Sequence, residues 1–540
     1  MIKFKKNKLL SIVALLLAGT CMSCQNGPYG KHIEEDLKTT NIIEDNYRNY
    51  YEIFVRSFYD TNGDGIGDLQ GVIQKLDYIK DMGFNGIWLM PINKGSSYHK
   101  YDVVDYYAVD SQFGTMDDLE ELIEECHKRD IKLILDLVLN HSSSANSWFS
   151  KAKKAHAKEL KLQELTEEEN KFKDFYSFYS NKPSGITTYE TTVDGMKFYY
   201  EANFSSGMPE FNCDSQAVKD EFKNIMKFYL DKGLDGFRLD AVLYYYYGNH
   251  AKNVEFLSLL NQWAKEVNPN AYIVGECWDS AQVIEQYYES GVDSFFNFTT
   301  SVNNPSSPII NSLNQEGKML NRYYDGLLNN ISMAKGHIPA PFLDNHDMPR
   351  YTSPVNLDTT KFKYALLSMM NGSTYTYYGD EIGMVGSNTG SNADQNVRIS
   401  MPWGDVDNLG DCTMIAGVIG DVEYPHGTVE EQLKDKNSLY NFYKKCLLIR
   451  NQNPEIARGE VSLVKMDRED TKCLFIKKTY GGSEIGIIFN FSPTENLKVD
   501  YLSEGFSKVV GQIVVDNETY IGLQNDKSIM LPPYSIAIVK

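Results

Sequence analysis

From about Asn41 onwards the chain alternates short apolar runs with amphipathic stretches of helical periodicity, and this alternation constrains the fold most. In β/α units each strand of a parallel sheet is followed by a helix that packs back onto it. The strand candidates are Tyr51–Phe58, Gly86–Met90, Lys132–Leu137, Gly236–Leu239, Ala271–Gly275, Asp293–Phe296, Pro341–Leu343 and Thr374–Tyr378. Eight strands alternating with helices predict an α/β fold, a (β/α)8 TIM barrel, whose chemistry gathers at the C-terminal strand ends.

The helix over Thr115–Asp130 is predicted from its periodicity and from its start. Thr115, followed three residues later by Asp118, predicts a capping box at the first turn. The apolar residues recur at intervals of three and four and form one face towards the sheet. These residues are Leu119, Leu122, Ile123 and Cys126, and the next predicted helix repeats the stripe at Phe222, Ile225, Met226 and Tyr229.

Two stretches depart from this alternation and divide the chain into predicted domains. Residues 142–212 follow the third strand and are too long for an ordinary connection, which predicts an inserted domain over the barrel mouth. The barrel would then consist of residues 41–141 and 213–455. Residues 456–540 contain short alternating runs separated by turn residues, which predict a C-terminal all-β sandwich.

The N-terminus predicts export. A basic start, a short apolar run over Leu9–Leu17 and small residues after it are typical of a signal peptide, here residues 1–24. A cysteine after such a run, as at Cys21 and Cys24, resembles the lipobox of bacterial lipoproteins, whose cysteine is acylated. We favour Cys24 as a lipid anchor at the cell surface or envelope, with Cys21 or plain secretion as alternatives. The polar composition of residues 25–40 then predicts a tether between the anchor and the barrel.

Charge and cysteine content narrow the possible partners. The formal net charge of −20 argues against nucleic acid, because a nucleic-acid-binding protein needs a basic patch that displaces counterions. The cysteines beyond the signal region show neither metal-binding spacing nor a disulfide framework, so buried free thiols are expected. The sequence does not define an oligomeric state, and a monomer is the default expectation.

Acidic residues stand at the ends of several predicted strands. Asp136, Asp240, Glu276 and Asp347 lie in the segments DLVLNH, GFRLDAV, GECWD and FLDNHD. Glycoside hydrolysis needs one carboxylate that attacks or stabilises the sugar carbon and one carboxylic acid that protonates the departing oxygen. Any one of these residues alone would more often form a salt bridge or a cap, but four at strand ends predict a catalytic cluster.

These segments resemble, in their order, the motifs of the α-amylase family, glycoside hydrolase family 13, from about Tyr51 to Trp403. The resemblance implies a barrel with a domain B inserted after the third strand and a C-terminal β-sandwich. The segment MPEFN at Met208–Asn212 is similar to the MPDLN of a group intermediate between oligo-1,6-glucosidases and neopullulanases, which includes lipoprotein amylases.

The resemblance also implies roles for individual residues. Asp240 matches the nucleophile of a retaining mechanism, Glu276 the general acid/base, and Asp347 a third acid that binds substrate hydroxyls. Arg238 lies on the same side of its strand as Asp240 and would pair with that carboxylate. The remaining implied substrate-binding residues are three histidines that bond glucose hydroxyls and an aromatic platform beneath the sugar: His99, His141, His346 and Tyr101.

Leu243 and Tyr244 depart from the family pattern, because many α-amylases carry Lys-His at these positions. Two interpretations stay open. The aromatic run from Tyr244 to Tyr247 either stacks against sugar beyond the cleavage point or is the packed start of a helix.

A Gly-rich turn, DTNGDGIGD, follows the first predicted strand. Asp60, Asn62, Asp64, the Ile66 carbonyl and Asp68 occupy alternate positions, as a hard, oxygen-seeking cation requires. The turn lacks the glutamate that an EF-hand places at position 12, so the prediction is an isolated structural Ca²⁺ site, which members of this family also carry after strand one. The alternative is a solvated Asp/Asn/Gly turn.

The leading hypothesis is a hydrolase of α-1,4-glucosidic bonds in starch or maltodextrins that works by double displacement. An α-glucosidase, a neopullulanase-like enzyme or a glucanotransferase would use the same site chemistry, and these alternatives stay open. A barrel protein that has lost catalysis and serves as a binding or transporter partner is disfavoured, because all three acids are present. A non-catalytic surface lipoprotein that only binds starch is a further, less favoured alternative, supported if Glu276→Gln leaves binding unchanged and the wild type shows no turnover.

Overall fold

The computed structural model describes residues 29–35, 40–314, 316–330, 336–389, 393–404, 411–418, 424–465, 472–516, 518–524 and 528–540. An eight-stranded parallel sheet forms its centre. We label its strands β1 to β8 in chain order: Asn49–Ile53, Gly86–Leu89, Lys132–Leu137, Gly236–Leu239, Tyr272–Gly275, Ser294–Asn297, Ala340–Pro341 and Thr374–Tyr377. Each strand pairs with the next from β1 to β7, β8 pairs with β1, and a bridge between Phe342 and Tyr375 closes the barrel. The predicted barrel is confirmed.

Two strands, β3 and β4, have the bounds that the sequence predicts, and β1 shows why others do not. The predicted strand Tyr51–Phe58 ends already at Ile53, because Val55–Ser57 forms a 3-10 turn. Phe54 and Phe58 are nevertheless buried. The apolar run therefore reflects burial in the core, which continues past the point where strand pairing stops.

Helices alternate with the barrel strands. The capping box of Thr115 and Asp118 is present, and the helix it begins buries the predicted apolar face. The helices that alternate with the strands or follow β8 are Leu69–Gln74, Leu76–Met82, Met116–His127, Gln216–Asp231, His250–Val267, Ala281–Tyr287, Pro308–Asn314, Lys318–Asn330, Leu357–Ser368, Val429–Lys434, Leu439–Gln452 and Glu455–Arg458.

The connection between β3 and β4 has secondary structure of its own. It contains the helices Ser147–Leu160 and Glu167–Phe172 and a three-stranded antiparallel sheet. The strands of this sheet are Phe178–Tyr179, Thr188–Val193 and Met196–Glu201. A separate antiparallel pair, Asn93–Gly95 with Val103–Val109, follows β2.

The C-terminal region is all-β, with two antiparallel sheets. The five-stranded sheet consists of Glu460–Leu463, Cys473–Tyr480, Ser483–Asn490, Ser535–Val539 and Val509–Val514. The four-stranded sheet consists of Lys31–His32, Gly522–Gln524, Ser528–Leu531 and Leu497–Asp500. Apolar side chains of both sheets, including Phe475 and Ile529, share one buried cluster.

The N-terminal strand Lys31–His32 corrects one expectation. It pairs with Gly522 and Leu523 at the edge of the C-terminal sheet, and the next residue, Ile33, is buried in the C-terminal apolar cluster. The expectation of a polar tether is therefore wrong for these residues, because one apolar side chain and two strand pairs hold them to the domain. Cys21 and Cys24 lie outside the described residues. The six cysteines within them are free.

Among the helices that the structure describes, none is both long and apolar enough to cross a membrane.

Candidate active site

The carboxylates predicted from strand ends come together at one end of the barrel. Asp136 lies in β3, Asp240 directly follows β4, Glu276 directly follows β5, and Asp347 lies in the loop after β7. Parallel strands of a barrel present their C-terminal ends on the same face, which explains why residues so far apart in sequence meet there.

A single buried guanidinium, that of Arg238 on β4, binds three of these carboxylates. Its Nη1 donates to Asp136 Oδ1 at 2.9 Å and to Asp240 Oδ1 at 2.5 Å. Its Nη2 lies 3.1 Å from Glu276 Oε1. Burial alone would lower the pKa of Arg238, but Asp136 and Glu276 outweigh burial and raise it well above its usual value. Arg238 therefore stays charged and fixes the carboxylates relative to one another.

Glu276 has the protonation behaviour of a general acid. Burial raises its pKa to about 7, against the opposing charge of Arg238. Its Oε2 accepts a 3.0 Å hydrogen bond from the backbone N–H of Ala241. Ala241 has a left-handed backbone conformation with φ of 47°, which is uncommon for a residue with a side chain. The strained residue beside Asp240 therefore helps to orient Glu276.

Asp347 lies between two cations. His346 Nε2 is 3.1 Å from Asp347 Oδ2, and Arg398 Nη2 is 2.7 Å from Asp347 Oδ1. Burial alone would raise the pKa of Asp347, but His346 and Arg398 outweigh burial and hold it well below its usual value. Asp347 is thus an anion throughout the neutral range.

His346 is itself held by Glu52 of β1, whose Oε1 lies 2.5 Å from His346 Nδ1. Burial alone would lower the pKa of His346, but Asp347 and Glu52 raise it to about 10. Both ring nitrogens therefore carry protons at neutral pH, one towards Glu52 and one towards Asp347.

Tyr101 connects the two halves of the cluster. Its hydroxyl donates to Asp136 Oδ2 at 2.9 Å and lies 2.7 Å from His346 Nε2. Its backbone accepts from His141 Nε2 at 3.1 Å and donates to His99 Nδ1 at 3.1 Å. Burial lowers the pKa of His141 and lowers that of His99 to about 4, so both rings are neutral at neutral pH.

The cluster opens into a cleft of about 560 Å³. Six of the residues predicted as catalytic or substrate-binding line it: His99, Tyr101, His141, Asp240, Glu276 and Asp347. Arg238 and His346 do not line it. Both are fully buried and their nitrogen atoms bind carboxylates, so the structure gives them a positioning role behind the cleft.

Aromatic rings extend the cleft outwards. Phe204, from the connection between β3 and β4, packs against Tyr244 at 4.8 Å between ring centroids, and Tyr244 stacks on Tyr247 at 5.3 Å. Tyr247 is 55% exposed. The helix after β4 begins only at His250, so Tyr244–Tyr247 does not start a helix. The run is nevertheless packed in part, because Tyr245 is buried and lies 5.1 Å from Phe256 between ring centroids.

Several residues of the site are missing from the sequence prediction. Glu52 is a charged residue inside a buried strand, and that contrast with its apolar neighbours is the signal that could have identified it. Arg398 lies in the segment DQNVR, which the family resemblance covers without assigning a role. Trp278 lines the cleft and stacks on Phe298 at 4.9 Å between centroids. Trp278 stands in the segment GECWD, two residues after Glu276, and its position beside the acid is the signal that could have identified it.

The predicted metal residues form one compact turn after β1. Asp60 accepts from the backbone N–H groups of Asn62, Gly63 and Gly65. Asn62 accepts from Asp64 at 2.9 Å.

The same turn ends at the next helix. Asp64 accepts from the Ile66 N–H at 2.8 Å, and Asp68 caps the helix that begins at Leu69. In the described part of the chain no group of three His, Cys, Asp or Glu side chains is placed to hold a metal ion. A cation here would therefore also need the Asn62 amide oxygen and the Ile66 carbonyl, which are oxygen ligands that calcium accepts.

A (β/α)8 barrel whose strand ends bring a carboxylic acid, a neighbouring carboxylate and a third acid into one sugar-sized cleft defines a glycoside hydrolase. Residues 52–459 match the family described as the alpha amylase catalytic domain, and the chain belongs to this family.

Proteins of known name align with this chain over nearly its whole length. Alpha-amylase 3 of Dictyoglomus thermophilum is 34% identical over 513 residues, which cover 92% of this chain and 93% of that protein. An oligo-1,6-glucosidase of Parageobacillus thermoglucosidasius is 27% identical over 91% of this chain and 97% of its own length. The solved structure of Eubacterium rectale Amy13B has a TM-score of 0.84 at 37% identity and covers 93% of this chain and 97% of its own.

Proposed function

We propose that the protein hydrolyses α-1,4-glucosidic bonds in starch or maltodextrins by double displacement, with retention of the anomeric configuration. Asp240 is the nucleophile that forms a covalent glucosyl intermediate. Glu276 first protonates the departing oxygen and then, as a base, activates the water that releases the sugar. Asp347 binds substrate hydroxyls and favours distortion of the sugar towards the transition state.

The contact of Arg238 with both Asp240 and Glu276 carries this proposal. In retaining enzymes the two carboxyl groups are about 5–5.5 Å apart, whereas inverting enzymes keep about 6.5–9.5 Å to admit a water. Asp240 binds Nη1 of Arg238 and Glu276 lies 3.1 Å from Nη2 of the same guanidinium. Because these two nitrogens are neighbours, the contacts support the shorter separation between the carboxyl groups. Glu276, with a pKa raised to about 7, holds its proton at pH values below neutral and in part at pH 7, as the first step requires.

The lining of the cleft supports a glucan substrate. Neutral His99 offers a ring nitrogen suited to a sugar hydroxyl, and Tyr101 offers an aromatic face. Both ring nitrogens of His141 contact protein atoms, so this residue lines the cleft and supports Tyr101. Beyond the carboxylates, Phe204 and Tyr244 present further rings of the kind that sugars stack on.

The departure at Leu243 and Tyr244 favours a second candidate, a neopullulanase-like enzyme, α-glucosidase or glucanotransferase acting on malto-oligosaccharides. These positions lie on the acceptor side, where the choice between water and a second sugar is made. Product lengths from amylose, pullulan and isomaltose separate the candidates.

The first experiment compares reducing-sugar release from soluble starch by the wild type and by Glu276→Gln, with products resolved by length. Mixed malto-oligosaccharides from the wild type and near silence from the variant are expected. Glucose alone, or long transfer products, would move the assignment to the second candidate. No release by either protein would contradict hydrolysis of starch.

Two further proposals concern the setting of the enzyme. The turn formed by Asp60, Asn62, Asp64, Ile66 and Asp68 would hold a structural Ca²⁺, whose charge would offset the clustered carboxylates. The acylated Cys24, with Cys21 as the alternative, would anchor the protein at the cell surface or envelope.

A further inference from the structure

At the end of the barrel opposite the catalytic carboxylates, three arginines line a small cavity. Arg48, Arg450 and Arg458 surround a volume of about 20 Å³ together with asparagine side chains. Asn49 begins β1 and Asn85 immediately precedes β2, so the cavity lies at the N-terminal strand ends. It is separate from the cleft and shares none of its lining residues.

Positive charge at this cavity exceeds the negative charge that the described residues supply. Asp45 binds Arg458 through both carboxylate oxygens at 2.7 Å and neutralises it. Arg450 is buried and donates only to the amide oxygen of Asn49 and to three backbone carbonyls. No carboxylate of the described chain forms an ion pair with Arg450.

A second buried basic group, Lys478, lies close enough to Arg450 to feel its charge. Lys478, on a strand of the C-terminal domain, is fully buried, and its Nζ donates to the carbonyls of Met369 at 2.8 Å and Ile456 at 2.6 Å. Burial and the charge of Arg450 lower the pKa of Lys478 well below its usual value. Within the described residues, the contact between barrel and C-terminal domain thus buries the charge of Arg450 without a carboxylate partner, and the lowered pKa of Lys478 reflects burial and that charge. An unbalanced buried charge disfavours folding unless a counterion is present.

Arg48 provides a hydrogen-bond donor that no protein atom uses. Its Nη1 donates to the carbonyls of Ile43 and Tyr47 at 3.0 Å, but its Nε is buried and has no partner in the described structure. Its terminal nitrogens form ion pairs of 3.6 Å with Glu44 and Asp45, so among the three arginines of the cavity it is Arg450 that has no carboxylate partner in the described structure. Other buried polar atoms of the described structure also lack a partner, but this one belongs to a residue that lines the cavity, so an acceptor inside the cavity would satisfy it.

We propose that this cavity binds one small monovalent anion of the size of chloride. A water needs about 10–15 Å³ of such volume, so the space suits a single small ion and is too small for a sulfate or phosphate. The anion would accept from Arg48 Nε and offset the charge of Arg450. A water molecule would satisfy the N–H but would leave the charge unbalanced.

Binding would join three parts of the chain. Arg48 belongs to the segment that leads into β1, Arg450 to the helix Leu439–Gln452, and Arg458 to the short helix before the C-terminal domain. An anion between them would stabilise the contact of the barrel with that domain. It would act on stability and leave the catalytic cluster, at the other barrel end, unaffected.

The melting temperature of the complete chain, measured in mixtures of sodium chloride and sodium gluconate at constant ionic strength, tests the proposal. A saturable rise of at least about 2 °C with chloride is expected, with bromide acting alike and sulfate having no such effect. A melting temperature that does not depend on the anion would mean that the cavity holds water and would overturn the proposal.

Substitutions at Asn41 locate the effect. Asn41 is exposed and lines the cavity, so Asn41→Asp places a carboxylate at its mouth without disturbing the core. We expect Asn41→Asp to abolish the chloride-dependent rise and Asn41→Ser, its uncharged control, to keep it. Arg48→Gln should abolish the rise as well, and the Asn41 pair decides the matter if that variant does not fold. A chloride effect that persists unchanged in Asn41→Asp would place the anion elsewhere and contradict the proposal.

Discussion

His346 Nδ1 lies 2.5 Å from Glu52 Oε1, so a carboxylate on β1 holds the histidine that binds Asp347. This bond crosses from the first barrel strand to the loop after the seventh. Asp347 and Glu52 together raise the pKa of His346. His346 therefore keeps its positive charge beside Asp347, the third acid of the site.

Replacing Glu52 should therefore lower kcat, although Glu52 lies behind His346 and does not line the cleft. In Glu52→Gln the pKa of His346 falls from about 10, so the ring loses its proton at lower pH than in the wild type. Loss of a charge-assisted hydrogen bond is worth about 1.5–3 kcal/mol, which predicts about a 10- to 100-fold fall in kcat. The pH profile of kcat should also gain an earlier decline on its basic side.

Glu381→Gln is the matched control for Glu52→Gln. Glu381 is an equally buried carboxylate, but it accepts from Tyr51 and Tyr78 and does not contact His346. Its replacement should lower stability without altering the shape of the pH profile. Identical pH profiles for the two variants would show that Glu52 is only structural.

Glu276 should set the basic limb of activity. Its raised folded-state pKa of about 7 means that the required proton is present below neutral pH and is lost as pH rises through 7. We expect kcat to decline above about pH 7, and Glu276→Gln to lose about 10²- to 10⁴-fold in rate. Steady-state kinetics from pH 4 to 9 check this. A profile that stays flat on the basic side would contradict the role of Glu276 as the acid.

The exposed rings beyond the carboxylates should act on substrate binding more than on chemistry. Tyr247→Ala removes the partner on which Tyr244 stacks, and aromatic contacts of this kind are worth about 0.5–1.5 kcal/mol. KM for long glucans should rise about two- to tenfold, with kcat little changed. Tyr189→Ala, at an exposed tyrosine outside the cleft, is the control and should leave KM unaltered. Equal KM values for wild type and Tyr247→Ala would exclude a sugar contact on this stack.

Local sequence predicts much of the fold. Strands such as β3 and β4 are buried on both faces, so their apolar runs can be identified without knowing which strands they pair with. The carboxylates at strand ends follow from the same logic, since barrel topology gathers strand ends on one face. Glu52 could not be assigned in this way, because its role depends on His346, 294 positions away. The pairing of Lys31 with Leu523 depends in the same way on a contact that no local pattern encodes.

The proposed lipid anchor depends on one cysteine. Cys24→Ala should move the protein from the membrane fraction to the soluble fraction, because an acyl chain binds the bilayer by about 0.8 kcal/mol for each buried CH₂ group. Cys21→Ala, three residues closer to the apolar run, is the control and should leave the protein membrane-bound. Release by Cys21→Ala alone would assign the anchor to Cys21, and retention by both variants together would contradict a lipid anchor at either position.

Calcium in the turn after β1 should contribute to stability, because a cation there would offset Asp60 and Asp68, which are both buried. A ligand present at a hundred times its Kd stabilises a protein by about 2.7 kcal/mol, so in a chain of this length a chelator should lower the melting temperature by about 2–3 °C. Asp60→Asn should melt lower and lose this response, and metal analysis of the purified protein should find about one calcium per chain in the wild type only. Asp500→Asn is the control, because Asp500 also accepts backbone N–H groups in a tight turn but lies in the C-terminal domain. Equal chelator responses in wild type and Asp60→Asn would mean that this is a solvated turn whose oxygens are satisfied by their own backbone.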